Sequence, residues 1–281
     1  MPPGPPPNGI DLLIVGALTI DRFADGHAAP GGSVLHAARA AAHAGLRTAV
    51  IATAGDESEA RAGLTEIGRL AILHHQAVDP TVTFRHDESG PMRRLFLEAA
   101  AAQLEAPPPT LAPRAVLYAP VANELGPALG GQRFDGCYTA AILQGWLRTL
   151  EPGSEVTPLP LAALPLALVA RLAELDLLIA SREDLVADAT DPLAQLDALR
   201  ATVGPRPALV VTESVHGAWL DAGGERRHVG VADRIDGVPS VGAGDAYAAV
   251  LVAELGGGAT LDAAARDAAG AVSRMLRARR A

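Results

Sequence analysis

The residues best suited to chemistry lie together near the carboxy terminus, in Pro239-Ser240-Val241-Gly242-Ala243-Gly244-Asp245. The two glycines let the backbone turn sharply and bring its N–H groups close to a ligand. An Ala-rich stretch follows at once, and Gly244–Leu255 is predicted to be a helix. The first N–H groups of a helix have no partners within it, and the helix dipole favours an anion there. A transferring phosphoryl group needs such donors, because its transfer is mostly positioning and charge stabilisation. Asp245 at the helix start could accept the proton of an attacking hydroxyl, help worth about 10²–10⁴-fold. The plainer role for the same residues is a turn followed by a capped helix, so the rest of the chain must decide.

Composition narrows the choice. All 23 basic residues are Arg; the 281-residue chain has no Lys. A P-loop of the Walker type, a protein-kinase third strand and Schiff-base chemistry each need a Lys, so all three are excluded together. The net charge of −9 argues against a nucleic-acid partner, because binding a phosphate backbone needs a basic surface. One cysteine, Cys137, allows neither an internal disulfide nor a cysteine zinc cluster. Residues 1–9 are Pro/Gly-rich and read as a disordered tail, not a signal peptide. No apolar run reaches the length of about 18 residues that spans a bilayer. The expected compartment is the cytoplasm, with no membrane partner.

Stepping outward, the elements that must position Asp245 follow a βαβ rhythm. Ile10–Gly16 is a short apolar run predicted to be a buried parallel strand. Gly31-Gly32 then opens a helix that closes at Gly45, followed by a strand over Arg47–Thr53 and a helix over Glu57–Arg69. Thr81–His86 and Met92–Glu98 flank a turn-rich stretch and are predicted to form a hairpin projecting from the main sheet. Further strands are expected at Ala115–Ala119, Gly136–Ile142, Asp176–Ala180 and Ala208–Thr212. An antiparallel pair, Ala218–Asp221 with Arg226–Val231, surrounds Gly223-Gly224, and a last helix spans Leu261–Arg279. The fold class is α/β, with residues 10–281 as one domain.

With these motifs in order, the chain resembles the ribokinase-like (PfkB) carbohydrate kinases. Gly242–Asp245 is similar to their G-A-G-D-x-F signature, with Tyr247 for Phe. Gly16–Asp21 is similar to their first strand and its substrate-binding Asp, Gly31-Gly32 to their di-glycine motif, and Gly55-Asp56 to their V-G-x-D segment. Ser181–Asp184 stands where they have N-x-x-E, and Thr212–Gly217 where they have T-x-G-x-x-G. The resemblance implies a three-layer α/β/α sandwich with a mostly parallel sheet and a small β lid near residues 17–30 and 81–98. It implies ATP-dependent phosphorylation of a hydroxyl on a sugar, polyol or nucleoside. Asp245 would be the base and the N–H groups of Ala243, Gly244 and Asp245, after the turn at Gly242, the anion hole. Asp21, Gly31, Gly32, His36 and Arg148 would line the substrate side. Ser181, Thr212 and Gly217 would line the nucleotide side, with Asp184 orienting a Mg²⁺-bound water.

The chain departs from that pattern at several points. Pro239 replaces an Asp that helps relatives hold a monovalent cation, with Asp236 nearby but out of register, so the resemblance carries no such site over. Ser181, Asp184 and Ser214 replace Asn, Glu and Gly, and His36 stands where a sugar-binding Asn is usual. His can both donate and accept a hydrogen bond, so a hydroxyl could still be read there. Arg148, in Gln144–Arg148, could approach a phosphate or the substrate, or simply form a surface ion pair. His74 and His75 are adjacent on an extended segment, so they point to opposite faces and do not suit shared metal binding. The hairpin could close over substrate or serve a second subunit, which leaves a homodimer open. The rival of another class is a ligand-binding or regulatory member that keeps the fold and has weakened catalysis. A nicotinamide enzyme would need G-x-G-x-x-G after the first strand, where this chain has Gly-Ala-Leu-Thr-Ile-Asp.

Overall fold

The computed structural model describes residues 9–280 apart from 88, 90–93, 101, 106–110, 128, 130–133, 135, 232 and 236. Residues 1–8, the centre of the hairpin turn, Pro107–Pro109 and Asp236 therefore lie outside the described residues. In chain order the elements are β1 (Leu12–Ala17), β2 (Thr19–Arg22), β3 (Ala28–Gly31), α1 (Ser33–His43), β4 (Thr48–Ala54), α2 (Ser58–Leu70) and β5 (Ile72–Ala77). Then come β6 (Val82–Asp87), β7 (Arg94–Ala99), β8 (Ala115–Ala119), β9 (Tyr138–Ile142), α3 (Leu166–Leu172) and β10 (Leu177–Ser181). The last are α4 (Pro192–Val203), β11 (Ala208–Thr212), β12 (Ala218–Ala222), β13 (Glu225–Val229), α5 (Ala243–Gly256) and α6 (Leu261–Arg280).

Nine strands form one sheet in the order β13-β12-β11-β10-β9-β8-β1-β4-β5. All neighbours from β11 to β5 are parallel; β12 and β13 are antiparallel additions at one edge. β1 is buried along its whole length. Its period-2 alternation sends Leu12 and Ile14 into one apolar cluster and Leu13 and Val15 into the other. The first cluster includes residues of α1, α2, α5 and α6, and the second includes residues of α3 and α4, so helices cover both faces. Among them, α5 is the most enclosed: Ala246 to Ala253 are all buried. Its small side chains let its backbone lie between the sheet, α1 and α6, which fixes the position of its amino terminus. No helix of the described residues is long and apolar enough to cross a membrane.

A second sheet has the order β3-β2-β6-β7, antiparallel except for the parallel β2–β6 pair. The stretch between Gly16 and Gly31 holds two strands of this sheet, where the family resemblance implied part of a small β lid. Ala-Ala-Pro-Gly has little strand propensity of its own, and antiparallel pairing with β2 supplies what local preference does not. The chain passes between the sheets at Leu18, whose N–H donates to Thr53 O at 3.0 Å. Beside this pivot the fully buried carboxylate of Glu124 accepts N–H groups from Ala17 at 2.8 Å, Val121 at 3.1 Å and Ala122 at 2.9 Å. Burial pushes its pKa up while those donors pull it down, and burial prevails.

Candidate functional site

The carboxyl ends of β9, β10 and β11 open on a cavity of ≈ 530 Å³, roofed by the second sheet and floored by the start of α5. The crevice beyond the carboxyl ends of parallel strands is where open α/β sheets bind ligands. Gly242 caps α5 in the left-handed conformation, φ 76°. A Cβ there would strike the imidazole of His36, so this position needs glycine for both torsion and space. The N–H of Ala243 donates to Ser240 O at 2.9 Å, closing the turn. That bond corrects the expected anion hole: Ala243 spends its donor within the loop. The N–H groups of Gly244 and Asp245 have no acceptor among the described residues, and these two line the cavity with the Asp245 side chain.

On one side of the cavity stand Asp21, His36 and Arg148. Asp21 sits on β2, accepts from Thr19 Oγ1 at 3.3 Å, and has His86 Nε2 3.4 Å from its Oδ1. Gly31, on β3 and paired with Thr19 of β2, has no room for a side chain because a Cβ would collide with the Asp21 carboxylate. Gly32 caps α1 at φ 92°, where a Cβ would lie 2.7 Å from Ala17 O. His36, one turn into α1, has a buried Nδ1 with no protein partner. Burial lowers its pKa, against the opposing pull of Asp245 and Asp21, so the ring is neutral at neutral pH. A neutral ring offers one donor and one acceptor to a ligand. Arg148 is half-buried and faces Asp184 at 3.9 Å; Gln144, with its amide oxygen turned to the guanidinium, accepts from Nη1 at 2.8 Å.

Asp184 lies on the other side, buried, with its Oδ2 accepting from the Ser181 N–H at 3.0 Å. Desolvation raises its pKa, Arg148 opposes this, and the charges of Glu183 and Asp245 push it further up. Ser181 pairs in register with Thr212 across β10 and β11. Thr212, Ser214, Ser240, Ala243 and Gly244 also border a second, apolar hollow of ≈ 260 Å³, whose walls include Val215, Val229, Ile235, Val238 and Leu276. Gly217 lines it at φ 106°, and a Cβ there would run into Val229 O. This apolar hollow adjoins the start of α5 and its two unpartnered N–H donors. For a divalent cation, no cluster of three His, Cys, Asp or Glu residues exists among the described residues. The carboxylates of Asp21, Glu183, Asp184 and Asp245 line the larger cavity, and Mg²⁺ keeps several waters and takes one or two carboxylates plus phosphate oxygens.

Twelve of the thirteen residues singled out in the sequence thus line one or both of these adjoining hollows, and the remaining one, Gly31, backs Asp21. His74 and His75 are remote on β5, where His75 Nε2 contacts Ala54 O at 2.9 Å. Sequence reasoning missed His86 and Phe84. Alternation in Thr-Val-Thr-Phe-Arg-His was the available signal, since it puts Val82, Phe84 and His86 on one face of β6. It also missed Glu124, which no local pattern marks.

Residues 140–278 match the pfkB family carbohydrate kinases. No curated protein sequence matches the chain. Among solved structures it is similar to a pyrophosphate-dependent kinase in the ribokinase family complexed with a pyrophosphate analog and myo-inositol, at 17% identity and TM-score 0.73, with 94% of each chain covered. It is also similar to a nucleoside kinase of Methanocaldococcus jannaschii, an archaeal member of the ribokinase family, at 14% identity and TM-score 0.71, over 95% of this chain and 92% of that one. The ribokinase of Arabidopsis thaliana, complexed with ribose and ATP, gives 16% identity and TM-score 0.69 over 95% and 92%. These likenesses establish the ribokinase-like fold.

Proposed function

We propose that this chain, whose residues 140–278 match the pfkB family carbohydrate kinases and whose fold is ribokinase-like, transfers the γ-phosphoryl group of ATP to a hydroxyl of a sugar, polyol or nucleoside. The observation that carries this reading is the start of α5, where the Asp245 carboxylate and the unpartnered N–H groups of Gly244 and Asp245 meet in one cavity. ATP would supply the phosphoryl group, with its base in the apolar slot beside Gly217. Asp245 takes the proton from the acceptor hydroxyl, and the Gly244 and Asp245 N–H groups neutralise charge that develops on the transferring oxygens. Asp21, His36 and Arg148 orient the acceptor, a set of donors and acceptors suited to neighbouring hydroxyls. Asp184 holds a water of Mg²⁺. Such a protein works where ATP is abundant, in the cytoplasm.

The slot favours a nucleotide over pyrophosphate as donor, because pyrophosphate has nothing to place against Val215, Val229 and Leu276. The test is a phosphorylation screen over pentoses, hexoses, inositols and nucleosides with ATP or pyrophosphate, comparing the native chain with Asp245→Asn. ATP-dependent product from at least one alcohol, lost in Asp245→Asn, is the expected result. Product from neither donor, with ATP still bound, would favour a regulatory protein on the same fold.

A further inference from the structure

The loop that carries Gly242 is held from an unexpected direction. Arg279, in the last turn of α6, places Nη1 3.0 Å from Pro239 O and 2.9 Å from Val241 O. These carbonyls belong to residues on either side of Ser240, whose own carbonyl accepts the Ala243 N–H at 2.9 Å. Three consecutive carbonyls are therefore fixed: two by one guanidinium, one by the turn that begins α5. Nothing else among the described residues is seen to tie Pro239 or Val241 down through its carbonyl. The contact spans about forty residues of sequence and fastens the end of one helix to the start of another.

We propose that Arg279 is a positioning residue for the anion hole, a cation built into the chain that does what a bound monovalent ion would otherwise do. The reasoning is chemical. Carbonyl oxygens that converge on a single point attract a cation, and here a guanidinium nitrogen occupies that point and cannot dissociate. Burial above all lowers the His36 pKa, and the charge of Arg279 adds a little to that lowering. Pro239 fits this arrangement. It has no side-chain oxygen to offer an ion, and its carbonyl is already used. The inference rests on the kinase reading for its effect on turnover but not for its effect on the loop.

The experiment therefore has two arms, both on the full chain. Amide hydrogen exchange over residues 242–246 compares the native protein with Arg279→Met and Arg279→Lys. Exchange is expected to rise about tenfold in Arg279→Met and less in Arg279→Lys, with an unchanged melting temperature. Unchanged exchange would overturn the clamp, whether or not the protein is a kinase. In the activity arm, with the acceptor from the screen, replacing potassium chloride by choline chloride is expected to leave native turnover unchanged. Arg279→Met is expected to lose roughly 10- to 100-fold in kcat with little change in KM, as for a loop displaced by about 1 Å. Potassium or methylguanidinium chloride should restore part of that loss. A native enzyme that requires potassium, or an Arg279→Met enzyme with full kcat, would contradict the proposal. An inactive native protein with the exchange difference intact would overturn the kinase reading and leave the clamp standing.

Discussion

The two sides of the cavity are built by different means. The donor side is made largely of backbone: N–H groups at the start of α5, a left-handed Gly242, and Gly217 pressed against Val229 O. The acceptor side is made of side chains: Asp21, His36, His86 and Arg148, drawn from β2, α1, β6 and the loop after β9. A backbone site depends on torsion angles that few residues can adopt, so it tolerates little change. A side-chain site can be altered one residue at a time, and this chain has altered it, with His36 in place of Asn. Under the proposed function, reaction class would reside in one half and choice of acceptor in the other.

Substitutions on the two sides should separate accordingly. Among substitutions that move one KM and not the other, the largest effect is expected from Gly217→Ala, because the added methyl meets Val229 O and the torsion suits only glycine. KM for ATP should rise by about 10- to 100-fold while KM for the acceptor stays within twofold, measured by initial rates against each substrate. A matched rise in both would deny the division. His36→Asn is expected to act in the opposite sense, changing kcat/KM for the preferred acceptor by roughly tenfold and leaving KM for ATP unaltered.

The same substitution tests the electrostatics. The folded pKa of His36 lies below its ordinary value of 6.5, so as pH falls the unfolded chain binds the proton first. Stability therefore falls as pH drops through about 6.5 and levels off below the folded pKa. Asn at this position should flatten that part of the curve in denaturant melts, and an unchanged slope would assign it to other groups. Glu124→Gln probes the frame that both sides share. Both carboxylate oxygens accept N–H groups, so an amide must set a donor against a donor. A loss of about 1–3 kcal/mol is expected from urea unfolding, with little effect on either KM.

Legibility in the sequence followed the same division. Gly242–Asp245, Gly217 and Thr212 were readable because backbone sites leave glycines at strand and helix ends, and β1, β8 and β11 because buried parallel strands are continuous apolar runs. The second sheet was only half readable. β6 announces itself by alternation, but β2 and β3 exist through pairing and carry Asp, Pro and Gly. β5 was obscured by its half-exposed edge position and its polar Ile-Leu-His-His-Gln-Ala sequence. The Asp21–His86 approach, the turn bond of Ala243 and the reach of Arg279 to Pro239 and Val241 are tertiary facts. No spacing along the chain encodes them.

The central claim is that the carboxylate at the start of α5 removes the acceptor proton while the neighbouring N–H groups hold the phosphoryl oxygens. It is tested most directly by ATP-dependent phosphorylation of the alcohol identified in the screen, native protein against Asp245→Asn, with ATP affinity measured alongside by calorimetry. A fall in kcat of about 10²–10⁴-fold with ATP binding retained is the result this account requires. Full turnover in Asp245→Asn would contradict it.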